Sequence, residues 1–238
     1  MKKAIVVGAT SGIGRAVAEL FAEAGYKVGI TGRRRELLSE LQRQRPESYI
    51  SNVFDVTDTG SVVDHLEALV SELGGLDLLF LSSGTGNRNE ALDFDIEIET
   101  VNTNVGGFTC IVDWTFNYFR QQQFGQLVSV SSVAGLRGLR FAPAYNASKA
   151  YQMNYLQALR QKSHHLGLPI VITDVRPGFV DTAMAKGEGV FWSAPVTKAA
   201  KQIVAAIDRK QTVVYITKRW RYVAVLLKLI PRALFERL

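Results

Sequence analysis

Seven short apolar runs, rich in β-branched residues, recur along the chain at 4–7, 27–30, 49–54, 76–81, 126–130, 169–175 and 212–216. Between them lie longer stretches, near 13–24, 34–43, 60–72, 93–120, 144–165 and 196–209, whose apolar residues return every three or four positions. Short unbroken apolar runs read as strands buried on both faces, and the longer spacing reads as amphipathic helices. The alternation predicts βαβ units that build a parallel sheet of about seven strands with helices on both faces. Neither a repeat nor a linker interrupts the order. Residues 1–217 are therefore expected to form one doubly wound α/β domain, with 218–238 as a basic amphipathic C-terminal extension. In such a sheet ligands settle at the carboxyl ends of the strands, so the residues just after each strand carry most of the functional information.

Composition removes several classes. With 47% hydrophobic and 21% charged residues among 238, the chain has enough apolar material for a core and does not read as disordered. The single cysteine, Cys110, excludes an internal disulfide, and with only His65, His164 and His165 no zinc or other metal site is expected. Met1-Lys2-Lys3 precedes an apolar run that Gly8, Gly12 and Gly14 cut short, so a cytoplasmic start is expected rather than a secretory signal. Most of the net charge of +6 sits in the extension, where Lys218, Arg219, Arg221, Lys228, Arg232 and Arg237 face only Glu236. That distribution argues against a nucleic-acid-binding face spread over the fold.

The first strand runs into Gly8-Ala9-Thr10-Ser11-Gly12-Ile13-Gly14 and then a helix. Glycine permits a tight turn and close backbone approach, and the unpaired N–H groups of Ser11, Gly12, Ile13 and Gly14 at the helix start attract a pyrophosphate. A carboxylate after the second strand would bind adenosine ribose hydroxyls, but the sequence there is Ile30-Thr31-Gly32-Arg33-Arg34-Arg35. Arg33, with Arg34 as its neighbour, instead offers a charged planar fork suited to a 2′-phosphate, which favours NADP(H) over NAD. After the third strand, Asp55-Val56 offers a carboxylate for an adenine amino group, or else a helix N-cap. After the fourth, Ser82-Ser83-Gly84-Thr85-Gly86 places small residues, Ser83 and Gly84 among them, where backbone passes close to a cofactor or simply turns.

The fifth strand ends in Ser131-Ser132, and the helix that follows opens with Tyr145-Asn146-Ala147-Ser148-Lys149. The i, i+4 spacing puts the Tyr145 phenol and the Lys149 ammonium on one helix face, where the positive charge is expected to lower the phenol pKa. Ser132 can hydrogen-bond a substrate carbonyl.

Taken in order, Gly8, Gly12, Gly14, Ser132, Tyr145, Lys149 and Pro177-Gly178 resemble the classical short-chain dehydrogenase/reductase family over about residues 3–216, a family with a Rossmann-type domain. The resemblance implies that Tyr145 is the general acid or base, that Lys149 lowers its pKa and binds the nicotinamide ribose, and that Ser132 steadies the reacting oxygen. It matches Asn104 to the asparagine that holds a water in the proton relay, with Asn102 less well placed. It assigns Pro177-Gly178-Phe179-Val180-Asp181-Thr182 to the segment lining the nicotinamide, with Val180 and Thr182 at its carboxamide. Two departures stand out: Val7 replaces a threonine, and Leu81-Ser82-Ser83-Gly84 replaces an Asn-Asn-Ala-Gly segment, so altered bracing of the central strands around an intact cofactor site is expected. A homodimer or homotetramer through the helices near 103–120 and 144–165 is also implied.

Residues 183–195 read as a mobile flap, with Phe191 and Trp192 either meeting an apolar substrate or anchoring the loop. The extension is too short in unbroken apolar sequence to span a bilayer. Peripheral membrane contact and packing on a partner subunit or over the cleft are both open to it. The reading that unites these features is an NADP(H)-dependent oxidoreductase interconverting a small-molecule carbonyl and a secondary alcohol, acting on an apolar substrate. The alternative is a non-catalytic NADP(H)-binding sensor of the same fold, which would have no use for Ser132, Tyr145 and Lys149 together.

Overall fold

The computed structural model of the chain describes residues 1–183 and 191–237. Among them, β1 (Lys3–Val7), β2 (Lys27–Gly32), β3 (Tyr49–Val53), β4 (Leu78–Leu81), β5 (Gly125–Val130), β6 (Ile170–Pro177) and β7 (Val213–Ile216) form one parallel sheet in the order β3-β2-β1-β4-β5-β6-β7. The α-helices are α1 (Gly12–Glu23), α2 (Arg35–Gln44), α3 (Val62–Leu73), α4 (Phe94–Val101), α5 (Phe108–Gln122), α6 (Pro143–His165), α7 (Val196–Asp208), α8 (Trp220–Leu229) and α9 (Arg232–Phe235).

The unbroken apolar strands are explained by burial on both faces. Along β1 and β4 alternate side chains divide between two cores, as the two-residue period of a strand requires. Val6 and Phe80 join Phe21 of α1 and Ile203 of α7 in one. Ile5, Leu79 and Leu81 join Leu66 of α3, Phe116 of α5 and Leu156 of α6 in the other. All four β4 residues are buried, and each such side chain contributes about 1.5–3 kcal/mol by leaving water. The strand order reverses between β1 and β4, which opens a crevice at their carboxyl ends.

One expected element is corrected. The stretch at 93–120 is not a single helix: α4 and α5 are joined by a π-helical turn at Asn102–Gly107. Gly106 and Gly107 lie in that turn, and a Cβ on Gly107 would come within 2.4 Å of the Val56 carbonyl oxygen, so the chain there must pass close to the loop after β3. Such π turns are frequent at functional sites. Elsewhere the boundaries move by one or two residues: β4 starts at Leu78 rather than 76, and β6 extends to Pro177.

Candidate active site

The glycine turn after β1 is shaped by what lies against it. Gly8 has φ +92°, and a Cβ there would sit 2.7 Å from the Ser83 nitrogen. At Gly14 the added atom would lie 2.1 Å from the Gly8 carbonyl oxygen. Only glycine lets α1 begin this close to the strands. Ser11 is the N-cap of α1 but makes no side-chain cap hydrogen bond, so the first-turn N–H groups of the helix remain open to an anion. Ser82 and Ser83 both donate their backbone N–H to the Val7 carbonyl, at 2.8 and 3.1 Å. The brace between β1 and β4 is thus made by backbone, which needs neither a threonine at position 7 nor an asparagine at 82.

The end of β2 lies beside this turn. Arg34 donates to the Thr10 hydroxyl at 2.5 Å and to the Ser11 hydroxyl at 2.7 Å, which places it nearer the glycine turn than its rank as Arg33's neighbour suggested. Arg33, largely exposed, reaches Asp55 at 3.4 Å. Asp55 also accepts from the Thr57 N–H and hydroxyl, both at 2.9 Å. Burial pushes its carboxyl up, but the Thr57 hydrogen bonds and the Arg33 charge outweigh this and hold it below the ordinary range. Asp55 therefore closes a local turn and is not the N-cap of the helix that follows, a position held by Ser61 without a side-chain cap hydrogen bond. Two guanidinium groups, free helix N–H groups and a cradle that side chains would fill together suit the anionic pyrophosphate of a dinucleotide.

On the other side of the crevice, Ser132 follows β5. Its hydroxyl accepts from the Ala134 N–H at 3.1 Å and is hydrogen-bonded to the Tyr145 phenol. Two contacts fix this pairing. Asn146 bridges α6 to the loop after Ser132, donating to the Ala134 carbonyl at 2.9 Å and accepting from the Leu139 N–H at 3.1 Å. Glu97 of α4 accepts from the Ala144 N–H at 2.8 Å, satisfying a free donor in the first turn of α6 beside Tyr145. Pro143 opens the helix, where its missing N–H costs nothing. Gly86 lies against the Tyr145 ring, 2.2 Å from where its Cβ would stand.

Lys149 is 4% exposed. Its ammonium donates to the Val130 carbonyl at 3.0 Å and to Gln152 Oε1 at 2.9 Å, and lies 5.8 Å from the Tyr145 ring centroid. Burial lowers its pKa to about 8, with the Asp174 charge opposing. The expectation of a lowered phenol is not met in the structure, where the net shift is upward. Burial pushes Tyr145 up, and the hydrogen bond from Ser132 pulls it back only in part. The phenol therefore rests in its neutral, protonated form at neutral pH.

Asn104, at the centre of the π turn and fully buried, ties these parts together. Its side chain accepts from the Thr85 N–H at 2.9 Å and donates to the Thr85 carbonyl at 2.7 Å and the Ser148 hydroxyl at 3.0 Å. Its backbone carbonyl accepts from Gln152 Nε2 at 2.9 Å. Gln152 thus carries Lys149 to Asn104, a link absent from the sequence reading. The available signal was its place three residues after Lys149 on the same helix face. Asn102 makes no comparable contact among the described residues.

The segment after β6 closes the site. Gly178 donates its N–H to the Ile216 carbonyl at 2.7 Å. Val180 is buried and bridges to Ala194, and the Thr182 methyl lies 3.2 Å from the place a Gly12 Cβ would take. Pro177–Thr182 therefore reaches back across the crevice to the glycine turn. Of the expected flap at 183–195, residues 184–190 lie outside the described residues. Phe191 and Trp192 pack edge to face on each other and both contact Trp220, while each stays about half exposed.

A family model described as short chain dehydrogenase matches residues 2–189. Among curated proteins, an uncharacterized oxidoreductase from Myxococcus xanthus is 34% identical over 191 residues, covering 77% of this chain and 74% of its own length. Among solved structures, a short chain dehydrogenase/reductase from Burkholderia phymatum in complex with NAD superposes with a TM-score of 0.85 at 22% identity, covering 94% of this chain and 92% of its own. The actinorhodin polyketide ketoreductase with NADPH gives a TM-score of 0.80 at 22% identity, over 90% and 95% of the two chains.

Proposed function

Because this chain belongs to the short chain dehydrogenase family, we propose that it is an NADP(H)-dependent reductase of a small apolar ketone or aldehyde, and that its active site is the set Ser132, Tyr145, Lys149 and Asn104. The observation that carries this reading is the phenol of Tyr145, hydrogen-bonded to Ser132 and held within one helical turn of a buried ammonium that has no carboxylate partner among the described residues.

The glycine turn from Gly8 to Gly14 would hold the pyrophosphate, with Ser11 and Ile13 offering N–H groups at the start of α1. Arg33 and Arg34 would meet the 2′-phosphate. Asp55 and Val56 would flank the adenine, Ser83 and Gly84 the central part of the cofactor, and Pro177, Gly178, Val180 and Thr182 the nicotinamide. The bound nicotinamide supplies the hydride. Ser132 orients the carbonyl oxygen, and Tyr145 gives that oxygen its phenolic proton as charge develops there. The Lys149 ammonium steadies the phenolate left behind, and Asn104 and Gln152 hold the ammonium in place. The solved relatives, one described with NAD and one with NADPH, make the nicotinamide class a common ground. The preference for NADP(H) rests on the two arginines and the lack of an acid after β2.

The test is oxidation of NADPH and of NADH across a panel of ketones, aldehydes and oxoacyl compounds. Tyr145→Phe is expected to lower kcat by about 10²–10⁴-fold with cofactor affinity retained; a Tyr145→Phe protein as active as its parent refutes the assignment.

A further inference from the structure

The helix after the last strand presents an apolar stripe on the side away from the protein. α8 docks through Trp220 and Ala224, both buried; Trp220 packs so closely on Gly178 that a Cβ there would come within 1.9 Å of the indole. The other end is fixed by Arg137, whose guanidinium donates to the Leu227 carbonyl at 2.9 Å and the Ile230 carbonyl at 2.7 Å, satisfying acceptors that a helix C-terminus leaves free. With the helix held at both ends, Tyr222, Val225, Leu226 and Leu229 stand 78%, 51%, 60% and 73% exposed. Their spacing is i, i+3, i+4, i+7, the period of one helix face, so they form a continuous stripe rather than scattered exposed residues. Leu234 of α9 is also exposed.

The charges around the stripe indicate what covers it. Arg221 and Lys228, seven residues apart, share one flank, and Lys218, Arg219, Arg232 and Arg237 lie at the ends, against Glu236 alone. Among the described residues Lys218, Arg221 and Lys228 have no ion-pair partner, while Arg232 is paired with Glu236. A second copy meeting this face would bring two cationic segments together, which opposes self-association, whereas an anionic surface complements it. Among the described residues no helix is long and apolar enough to cross a membrane.

We propose that α8 and α9 seat the protein on an anionic bilayer, with Tyr222, Val225, Leu226 and Leu229 entering the boundary between headgroups and acyl chains and Arg221 and Lys228 meeting lipid phosphates. Trp220, on the opposite face of α8, packs on Gly178 after β6, so one helix would separate the bilayer from the segment that closes the crevice. The seat does not depend on the proposed reductase activity.

Flotation of the full chain with vesicles of 70% phosphatidylcholine and 30% phosphatidylglycerol tests it, beside pure phosphatidylcholine vesicles, at low and high salt. Binding is expected on the anionic vesicles, at least about tenfold weaker on neutral ones, and reduced by salt. Leu226→Glu with Leu229→Glu abolishes it while the thermal unfolding midpoint stays near that of the parent, and Arg221→Glu with Lys228→Glu weakens it about tenfold or more. Equal binding to both vesicle types, or binding untouched by the leucine variants, overturns the proposal. So does a fall in native mass in the leucine variants without any vesicle binding, which would make the stripe a contact between copies.

Discussion

Replacing Gln152 by leucine, which keeps roughly the size of the side chain, removes one of the two acceptors of the Lys149 ammonium and leaves the Val130 carbonyl as the other. A buried hydrogen bond to a charged group is worth about 1.5–3 kcal/mol. The Gln152 oxygen accepts from the charged form, so its loss favours the neutral amine and the pKa falls. At about 1.4 kcal/mol per pH unit, the change is about one to two units, from about 8 to about 6–7. At pH 7 the ammonium fraction drops from roughly nine-tenths to about half or less. Gln152→Glu places a carboxylate at the same position and moves the lysine the other way.

The readout is the pH profile of kcat/KM for NADPH-dependent ketone reduction, whose basic limb reports loss of the protonated lysine. That limb should move about one to two units down in Gln152→Leu and upward in Gln152→Glu. Both variants leave the Asn104 carbonyl without its Gln152 donor, so a stability loss of about 1–3 kcal/mol accompanies either change. If both basic limbs stay at the parent position while rates fall uniformly, Gln152 merely packs and the link from Asn104 to Lys149 has no electrostatic role.

Gly86→Ala sets a Cβ 2.2 Å from the Tyr145 ring, which turns the phenol away from Ser132; kcat is expected to fall about 10²-fold or more with the dissociation constant of NADPH unchanged, measured by steady-state kinetics and cofactor fluorescence. Arg33→Ala with Arg34→Ala should raise KM for NADPH by about 10–100-fold and leave KM for NADH nearly unchanged, since each arginine would supply a charged hydrogen bond only to the 2′-phosphate. Equal losses with both cofactors would show that the arginines shape the turn instead. For stability, Lys149 titrates at about 8 in the folded chain against 10.5 when free, so the unfolded chain binds its proton more tightly between those values. That group therefore adds stability as pH rises from about 8 toward 10.5, by up to about 1.4 kcal/mol per unit. Urea denaturation of the parent and Lys149→Met at pH 8 and pH 10 should show this increment in the parent alone, and parallel curves would contradict it.

The sheet was legible because burial on both faces leaves an unmistakable pattern: Leu78-Leu79-Phe80-Leu81 carries no polar residue that could face water. The turns after β1, β4 and β5 were legible because glycine and small residues occur where backbone must approach backbone, as Gly8 does against Ser83. The π turn was not. Its glycines were visible in Asn104-Val105-Gly106-Gly107, but an apolar period of three to four runs through α4 and α5 alike and hides a break of this kind. The sign of the Tyr145 shift was missed for a related reason. Sequence gives the spacing between phenol and ammonium, while the balance between their attraction and the cost of burial depends on the depth at which the two are held.

A counterion, rather than depth, separates the buried charges that hold the fold from the one proposed to serve the chemistry. Asp174 in β6 is fully buried, yet both Nε and Nη2 of Arg176 reach it at 2.7 Å, and the Ser131 hydroxyl donates to its other oxygen. Tyr215 accepts a further hydrogen bond from Arg176 at 3.2 Å. That pair is closed: each charge has its counterion, and removing either partner would cost about 3–5 kcal/mol without exposing a reactive group. Lys149 is buried almost as deeply but meets only neutral acceptors, Val130 and Gln152. Burial without a counterion therefore lowers the Lys149 pKa, whereas at Arg176 the neighbouring carboxylate outweighs burial and raises it, and the lysine is left able to attract an anion. In the proposed reaction the phenolate left when Tyr145 gives up its proton would be such an anion, one helical turn away, and the ammonium would offset part of the cost of forming that charge in a buried site.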